Sequence, residues 1–198
     1  MEKLTRDDLW SLEDYAQNRA LFRQQVLAHK RDLQLGLGAN LRLLFEDRLT
    51  IQYQIQEMLR IERVFEPEAI QEELDAYNPL IPDGRNWKAT MLLEYSDVAE
   101  RRRALSELIG VEHQMWVQVG DSDKVYAFAD EDLERSDQNK TSSVHFLRWE
   151  LTDNMIAALR QGAPVRFGCN HPALTINSTL NLQQAEALNA CLDATRHH

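Results

Sequence analysis

Residues 60–84 read RIERVFEPEAIQEELDAYNPLIPDG, and the spacing of apolar residues along the sequence changes within this stretch. Before this stretch, apolar residues recur mostly with helical spacing. After it, six short apolar segments are separated by turn residues and by amphipathic helical segments. The sequence therefore predicts an α+β fold, in which an N-terminal helical region packs on a C-terminal, mostly antiparallel sheet with interleaved helices. The expected regions are 1–84 and 85–198, joined in one compact unit.

Within this stretch, one predicted helix ends and another begins. A helical period over residues 47–63 predicts the first helix. Pro67 favours the first turn of the second helix, and Asn78 followed by a proline predicts its end. The remaining NPLIPDG is stiffened by two prolines and carries a turn signal. We interpret it as a rigid connector from helices to sheet, although a rigid loop also suits docking, and the sequence leaves both roles open.

The N-terminal region is expected to hold two further helices and a strand. Thr5 and Asp8 match a capping box, which predicts a helix from there to about residue 17. A second helix is expected from residue 18 to about residue 33, with the glycines of LGLGAN ending it. The alternating apolar residues of LRLLF, residues 41–45, predict a short strand.

Charge and composition exclude several classes of partner. The 198-residue chain has 22 basic and 32 acidic residues, so its formal charge of −10 repels phosphate backbones and anionic membranes. No apolar run is long enough for a transmembrane helix or resembles a signal peptide. We therefore expect a cytoplasmic protein that binds neither nucleic acid nor membrane, with Cys169 and Cys191 as reduced thiols.

Charged residues on the helix over residues 47–63 are the first candidates for a site. Glu57 and Arg60 are spaced to form an ion pair on the helix surface. Arg48 and Glu62 are predicted to project towards the apolar side, where each would need an outside partner. The favoured interpretation is that each lies at the core boundary and meets an opposite charge from the sheet. The alternative is that they line a ligand site.

Motifs for catalysis or cofactor binding are weak or missing. No histidine follows a glutamate at the spacing that di-iron bundles use, and neither standard nucleotide-binding loop is present. Zinc would require Cys169 and His171 together with His113 or His145, which is a weak pattern. His145 alternates in phase with the apolar residues of its strand, which favours a satisfied core histidine. We predict no cofactor and no metal site.

Several blocks of this sequence resemble the bacterial domain-of-unknown-function family thirty-five-oh-one (DUF3501). They are LTRDDL, the long block LLFEDRLTIQYQIQEMLRIERVFEPEAIQEELDAYNPLIPDG, KATMLLEY, VYAFADEDLERS, KTSSVHFLRWEL and the HP of CNHP. The resemblance carries no activity with it. It implies genes beside those for a rubrerythrin-like protein and an iron-sulfur oxidoreductase related to heterodisulfide reductase subunits, and hence a role near peroxide or redox metabolism.

Two hypotheses of different class follow. The first is a non-enzymatic accessory component of a bacterial iron-dependent redox or peroxide-stress system, which binds one of those two proteins through its acidic helices and the connector. The second is a ligand- or metal-binding enzyme with a pocket between helices and sheet. A structural homo-oligomer is a third option. The candidate residues for ligand or partner binding are Arg48, Glu57, Arg60, Glu62, Glu72, Glu73, Asn78, Asp83, His145 and Arg148.

Overall fold

The computed structural model describes residues 2–192. The helices are α1 Leu12–His29, α2 Arg48–Glu62, α3 Pro67–Tyr77, α4 Val98–Glu107, α5 Asp153–Arg160 and α6 Leu182–Ala190. The strands are β1 Gln34–Leu37, β2 Leu41–Phe45, β3 Asn86–Leu93, β4 Met115–Val119, β5 Val125–Tyr126, β6 Phe128–Ala129, β7 Val144–Glu150, β8 Val165–His171 and β9 Leu174–Thr179. The predicted α+β class is confirmed. No helix in the described residues has the length and apolar character needed to cross a bilayer.

The strands form two antiparallel sheets where the sequence suggested one. The first sheet has the order β1-β2-β3-β7-β6, and the second has the order β5-β4-β8-β9. An aromatic cluster joins them: the Phe167 ring of the second sheet lies 5.1 Å from Phe45, 5.8 Å from Trp87 and 5.2 Å from Trp149 of the first, between ring centroids. Burial of these large rings makes the space between the sheets the main core.

The N-terminal helix differs from the prediction. Thr5 and Asp8 do bond to each other, but they close only a short 3₁₀ turn, Arg6–Asp8. The predicted break near residue 17 is wrong, because α1 runs without interruption from its N-cap Ser11. The late start of α1 coincides with a tertiary contact, in which the backbone N–H of Trp10 donates to the Gln56 side chain over 2.7 Å just before the helix begins.

A β-hairpin within the N-terminal region was not predicted. β1 pairs with β2 around a turn in which Gly38 has φ of 69°, a conformation suited to glycine. β2 then pairs with β3, so strands from before residue 84 belong to the same sheet as strands that follow it. Leu35 and Leu37 are buried and alternate with less buried positions, which is the strand pattern that the glycines of this short segment concealed.

The connector NPLIPDG is built into the packing. The Asn78 side chain accepts a hydrogen bond from the Leu4 N–H over 2.8 Å and donates to the Leu4 carbonyl over 2.9 Å, which ties the N-terminal segment to the end of α3. Lys88 donates to the backbone carbonyls of Pro79 and Ile81. Most of the polar capacity of this segment is therefore used inside the fold.

Candidate functional site

A buried cluster of two carboxylates and one imidazole lies at the base of a surface cleft. His145 is on β7, Glu112 lies in the 3₁₀ turn Val111–Gln114, and Asp130 directly follows β6. The His145 side chain is fully buried, and those of Glu112 and Asp130 are 4% and 7% exposed. Burial of charged groups to this degree is costly unless they are paired, so their contacts decide what the cluster can do.

Both nitrogens of the His145 ring have partners. Nδ1 lies 2.6 Å from Asp130 Oδ2, and Nε2 lies 2.8 Å from the Thr141 hydroxyl and 3.1 Å from the Ser142 carbonyl. Glu112 Oε2 is 3.9 Å from the same Nε2, which is beyond hydrogen-bonding distance. The hydrogen bond to Asp130 therefore orients the ring with Nε2 in contact with Thr141 and Ser142 and with Glu112 as the next group away.

Asp130 is held in an unusual backbone conformation. Its φ of 52° lies in the left-handed region, which residues other than glycine seldom adopt, although Asp does so more readily than most residues. Its Oδ1 accepts from the Phe146 N–H over 2.9 Å and, more weakly, from Arg135. Arg135 also donates two hydrogen bonds to Asp132, and this contact raises the pKa of Arg135 and lowers that of Asp132.

Glu112 is compensated less completely than Asp130. Its carboxylate accepts from Ser136 over 2.6 Å and from Thr141 over 3.4 Å, and both donors are neutral hydroxyls. Within residues 2–192, the basic groups nearest to it are the imidazoles of His145 and His113, each at 3.9 Å. A buried carboxylate with only neutral donors in direct contact is a strong acceptor for a further cation.

The cleft above the cluster has a volume of about 620 Å³. Its lining includes Glu112 and Asp130 together with His113, Arg135, Ser136 and Asp137. His145 does not line it. Three of the lining side chains named here are carboxylates and one is an arginine, which favours a cationic ligand.

The arrangement of donor atoms fits a metal ion. One atom from each of Glu112, Asp130 and His145 can be chosen so that all three lie within 4.8 Å of one another. Ligands bound at about 2.1 Å lie about 3 Å apart when adjacent and about 4.2 Å apart when opposite. Glu112 Oε2 and His145 Nε2, 3.9 Å apart, therefore have the spacing of two ligands of one ion, whereas Asp130 is engaged at Nδ1 of the same ring. In the described part of the chain, Cys169 and His171 are not in any such group.

The sequence-predicted residue Glu57 belongs to a different cluster. It accepts hydrogen bonds from Tyr15 over 2.6 Å, from Arg19 over 2.7 and 2.9 Å, and from Arg60 over 3.2 Å. The contact with Arg19 is the main reason that the pKa of Glu57 falls to about 2. Burial, and then the Glu57 carboxylate, raise the pKa of Tyr15. The predicted pair with Arg60 is present, but the larger role of Glu57 is to join α2 to α1.

Arg48, Glu62 and Arg148 do not meet His145. Arg48 pairs with Asp8 of the N-terminal turn at 2.5 Å, not with a partner from the sheet. The expectation that Glu62 projects into an apolar environment is wrong, because Glu62 is exposed where α2 ends. Arg148 donates two hydrogen bonds to Glu131 and one to Glu150. The pocket hypothesized from these residues and Glu57 is therefore not assembled.

The remaining predicted residues lie along α3 and the connector. Glu72 is exposed and Glu73 is partly buried, and the pKa of Glu73 is raised by burial and then by the carboxylates of Glu62 and Glu72. Asp83 is exposed and accepts from the Arg85 N–H over 2.9 Å. These acidic residues stay available to solvent, whereas Asn78 is used in the connector.

Sequence reasoning identified His145 but missed Glu112 and Asp130. The prediction of a buried histidine on β7 is confirmed. Glu112 follows Val111 but precedes the polar residues His113 and Gln114, so the local sequence carries no clear signal of its burial. The only sequence feature of Asp130 is its position directly after a strand, and many exposed aspartates have the same position.

Comparison with known proteins places the chain among proteins whose activity is not defined. A crystal structure of a protein of unknown function from Burkholderia pseudomallei K96243 is similar, with 50% sequence identity and a TM-score of 0.91. The match covers 97% of this chain and all of that one. No curated protein matches the chain. The family model described as "Protein of unknown function (DUF3501)" matches residues 3–192, and the chain therefore belongs to the DUF3501 family.

Proposed function

We propose that the chain binds a divalent first-row transition metal ion through Glu112 and His145, with Asp130 holding the His145 ring in place. The observation that carries this proposal is the state of Glu112: its carboxylate is 4% exposed, accepts from two hydroxyls, and lies 3.9 Å from His145 Nε2. An ion between the carboxylate and the imidazole would supply the missing positive charge. The Nδ1–H of His145 donates to Asp130 Oδ2, a contact that carboxylates commonly make with metal-binding histidines and that orients the ring.

The donor set narrows the class of ion. An imidazole nitrogen suits zinc, iron, copper and nickel, whereas carboxylates also suit manganese and the hard ions magnesium and calcium. An imidazole together with a carboxylate therefore fits Mn²⁺, Fe²⁺ or Zn²⁺ best. Two protein ligands leave the other coordination positions of the ion open, where water or a small ligand could bind.

Metal analysis of the purified protein tests the proposal. A removable tag is needed, because the sequence ends in His197 and His198. We expect about one equivalent of Mn²⁺, Fe²⁺ or Zn²⁺ after dialysis, and its loss in Glu112→Gln and His145→Gln variants whose far-ultraviolet circular dichroism is unchanged. Asp132→Asn, which alters an exposed carboxylate of the adjoining loop, should keep the ion. Wild-type protein that retains none of the three ions would refute the proposal.

We also propose an accessory role, in which the chain binds a partner protein of a bacterial iron-dependent redox or peroxide-stress system in the cytoplasm. The family resemblance suggests an iron-sulfur oxidoreductase or a rubrerythrin-like protein as that partner. The observation that favours partner binding is the large exposure of Ile61 and Phe65, at 61% and 67%, beside the acidic helix α3. Exposed apolar side chains surrounded by charge are typical of interaction sites.

Co-purification tests the accessory role. The chain should associate at low salt with the iron-sulfur oxidoreductase or with the rubrerythrin-like protein. Changing Glu72, Glu73 and Asp83 together to amides should weaken the association, since these carboxylates are on the surface. Failure to associate with either protein at low salt would count against the role, whatever the result of the metal analysis.

A further inference from the structure

We infer that the end of α2 and the whole of α3 form a docking surface for a basic, amphipathic helix of a partner protein. The surface, called here the α2–α3 face, comprises residues 60–77 and the cleft beside them. This inference rests on the proposed accessory role and names the chemistry of the partner. It is independent of the metal site at Glu112.

The apolar part of the α2–α3 face is open to solvent. Ile61 and Phe65 are 61% and 67% exposed, and Trp10 is 38% exposed. Phe65 and Trp10 both line a cleft of about 340 Å³, whose other apolar walls include Leu59 and Ile70. The cleft is large enough to take one or two apolar side chains, which is how a groove commonly recognises the apolar stripe of a helix.

The charged part of the face is acidic and lacks internal compensation. Residues 60–77 carry six carboxylates and two arginines, a formal charge of −4. Of the arginines, Arg60 already pairs with Glu57. Across the described residues, the ion pairs leave five glutamates of this face without a basic partner: Glu62, Glu66, Glu68, Glu72 and Glu73.

Two of these carboxylates act on a third. Glu62 at the end of α2 lies close enough to Glu73 on α3 to raise its pKa, as does Glu72, although partial burial of Glu73 contributes more. The repulsion is therefore present in the folded chain and would be relieved by lysine or arginine side chains placed over it.

Charge also decides among occupants. A second copy of the chain would bring the same acidic face, or another surface of a molecule with a net charge of −10, towards these glutamates. Anionic lipid headgroups would be repelled in the same way. A helix with apolar residues at i, i+3, i+4 and i+7 and lysines on its flanks matches both parts of the face, since its apolar side chains suit the cleft and its lysines suit the glutamates of residues 60–77.

Peptide binding provides the test. The probe is a fluorescein-labelled helical peptide of about 18 residues, with leucine on one face and lysine elsewhere. A matched peptide has glutamate in place of lysine. Fluorescence anisotropy measures binding at several salt concentrations. The test variants are Phe65→Ser, Ile61→Ser and the triple variant Glu62→Gln, Glu72→Gln, Glu73→Gln.

Matched controls separate this face from general attraction between a basic peptide and an acidic protein. Leu182→Ser alters an apolar residue that is 74% exposed on α6. The triple variant Glu100→Gln, Glu107→Gln, Glu186→Gln removes the same charge from exposed positions elsewhere. All of these positions are exposed except Glu73, which is partly buried, so the variants should fold like the wild type; circular dichroism checks this.

The inference predicts a specific pattern of affinities. Phe65→Ser should weaken binding of the lysine peptide by about tenfold, because the complex loses an aromatic side chain that the bound peptide would bury. The Glu62, Glu72 and Glu73 triple variant should weaken it similarly at low salt and flatten its dependence on salt. Both controls should stay within about twofold of the wild type, and the glutamate peptide should not bind.

Two results would overturn the inference: equal binding by the wild type and Phe65→Ser, or equal losses in the test triple variant and the control triple variant. Its failure can be told apart from failure of the accessory role. If the partner co-purifies but the peptide pattern fails, the partner binds elsewhere. If the pattern holds but neither named protein co-purifies, the face is right and the named partners are wrong.

Discussion

Glu57→Gln tests whether the Glu57 cluster joins α1 to α2. In the folded chain the Glu57 carboxylate accepts hydrogen bonds from the Tyr15 hydroxyl, over 2.6 Å, and from Arg19 and Arg60. The Glu57 side chain is only 14% exposed. The amide keeps the shape of the side chain but loses the charge. The arginines would then lose their charge-assisted bonds, and the variant should be less stable at neutral pH.

The size of the effect follows from the pKa of Glu57. The pKa falls from an ordinary 4.5 to about 2, which corresponds to about 3 kcal/mol. Arg19 and Arg60 are 35% and 40% exposed, so solvent screening reduces this to about 2 kcal/mol. Because the pKa is lower in the folded state, this stability is complete above pH 4.5 and is lost as the pH falls towards 2.

Urea unfolding, followed by tryptophan fluorescence, measures the free energy of unfolding of both proteins at pH 7 and pH 3. The difference should be about 2 kcal/mol at pH 7 and less than half of that at pH 3. Glu94→Gln is the control, since its pair with Arg42 is 43% exposed on the glutamate side and should be worth less than about 1 kcal/mol. An equal destabilisation by Glu57→Gln at both pH values would refute the reasoning.

Two further predictions concern other parts of the fold. The hydrogen bond to Asp47 raises the pKa of His29. The contact therefore stabilises the fold fully below the ordinary histidine pKa of 6.5, and this contribution is lost as the pH rises through the raised pKa. Melting temperatures should therefore show the advantage of wild type over His29→Gln at pH 6 and little of it at pH 9. Gly168→Ala would place Cβ 2.3 Å from the Trp116 ring, whereas Gly36→Ala meets no atom within 4 Å. Urea unfolding should show a loss of at least about 2 kcal/mol for the first and less than about 1 kcal/mol for the second.

The parts of the fold that were predicted correctly rest on local physics. α2 begins where Asp47 accepts from the Thr50 N–H over 2.9 Å, and α3 begins at Pro67, both as the sequence indicated. The errors come from tertiary contacts. The contact of Trp10 with Gln56 lies just before α1 begins, and β1 is stable only because it pairs with β2. Neither partner is visible from the local pattern.

The candidate site was harder to predict for the same reason. The strand pattern correctly buried His145, but its partners come from a 3₁₀ turn before β4 and from the residue after β6. Long-range pairing of β6 with β7 brings Asp130 beside the histidine. The sequence pointed instead to Glu57 and Arg48, because a charged residue that departs from the apolar pattern of an amphipathic helix is easy to recognise. Their partners turned out to be ordinary ion pairs between nearby elements.

Stability alone is a poor explanation for the cluster around His145. Buried ionic networks can often be replaced by apolar residues with no loss of stability, because desolvation offsets much of the Coulomb attraction. Asp130 in the cluster also has a φ of 52°. Backbone conformations of this strained kind are found more often at functional sites than elsewhere. Asp130 and His145 satisfy each other, but Glu112 meets only hydroxyls in direct contact. Glu112 is therefore the residue that a purely structural role leaves least explained, and a bound cation would compensate its charge.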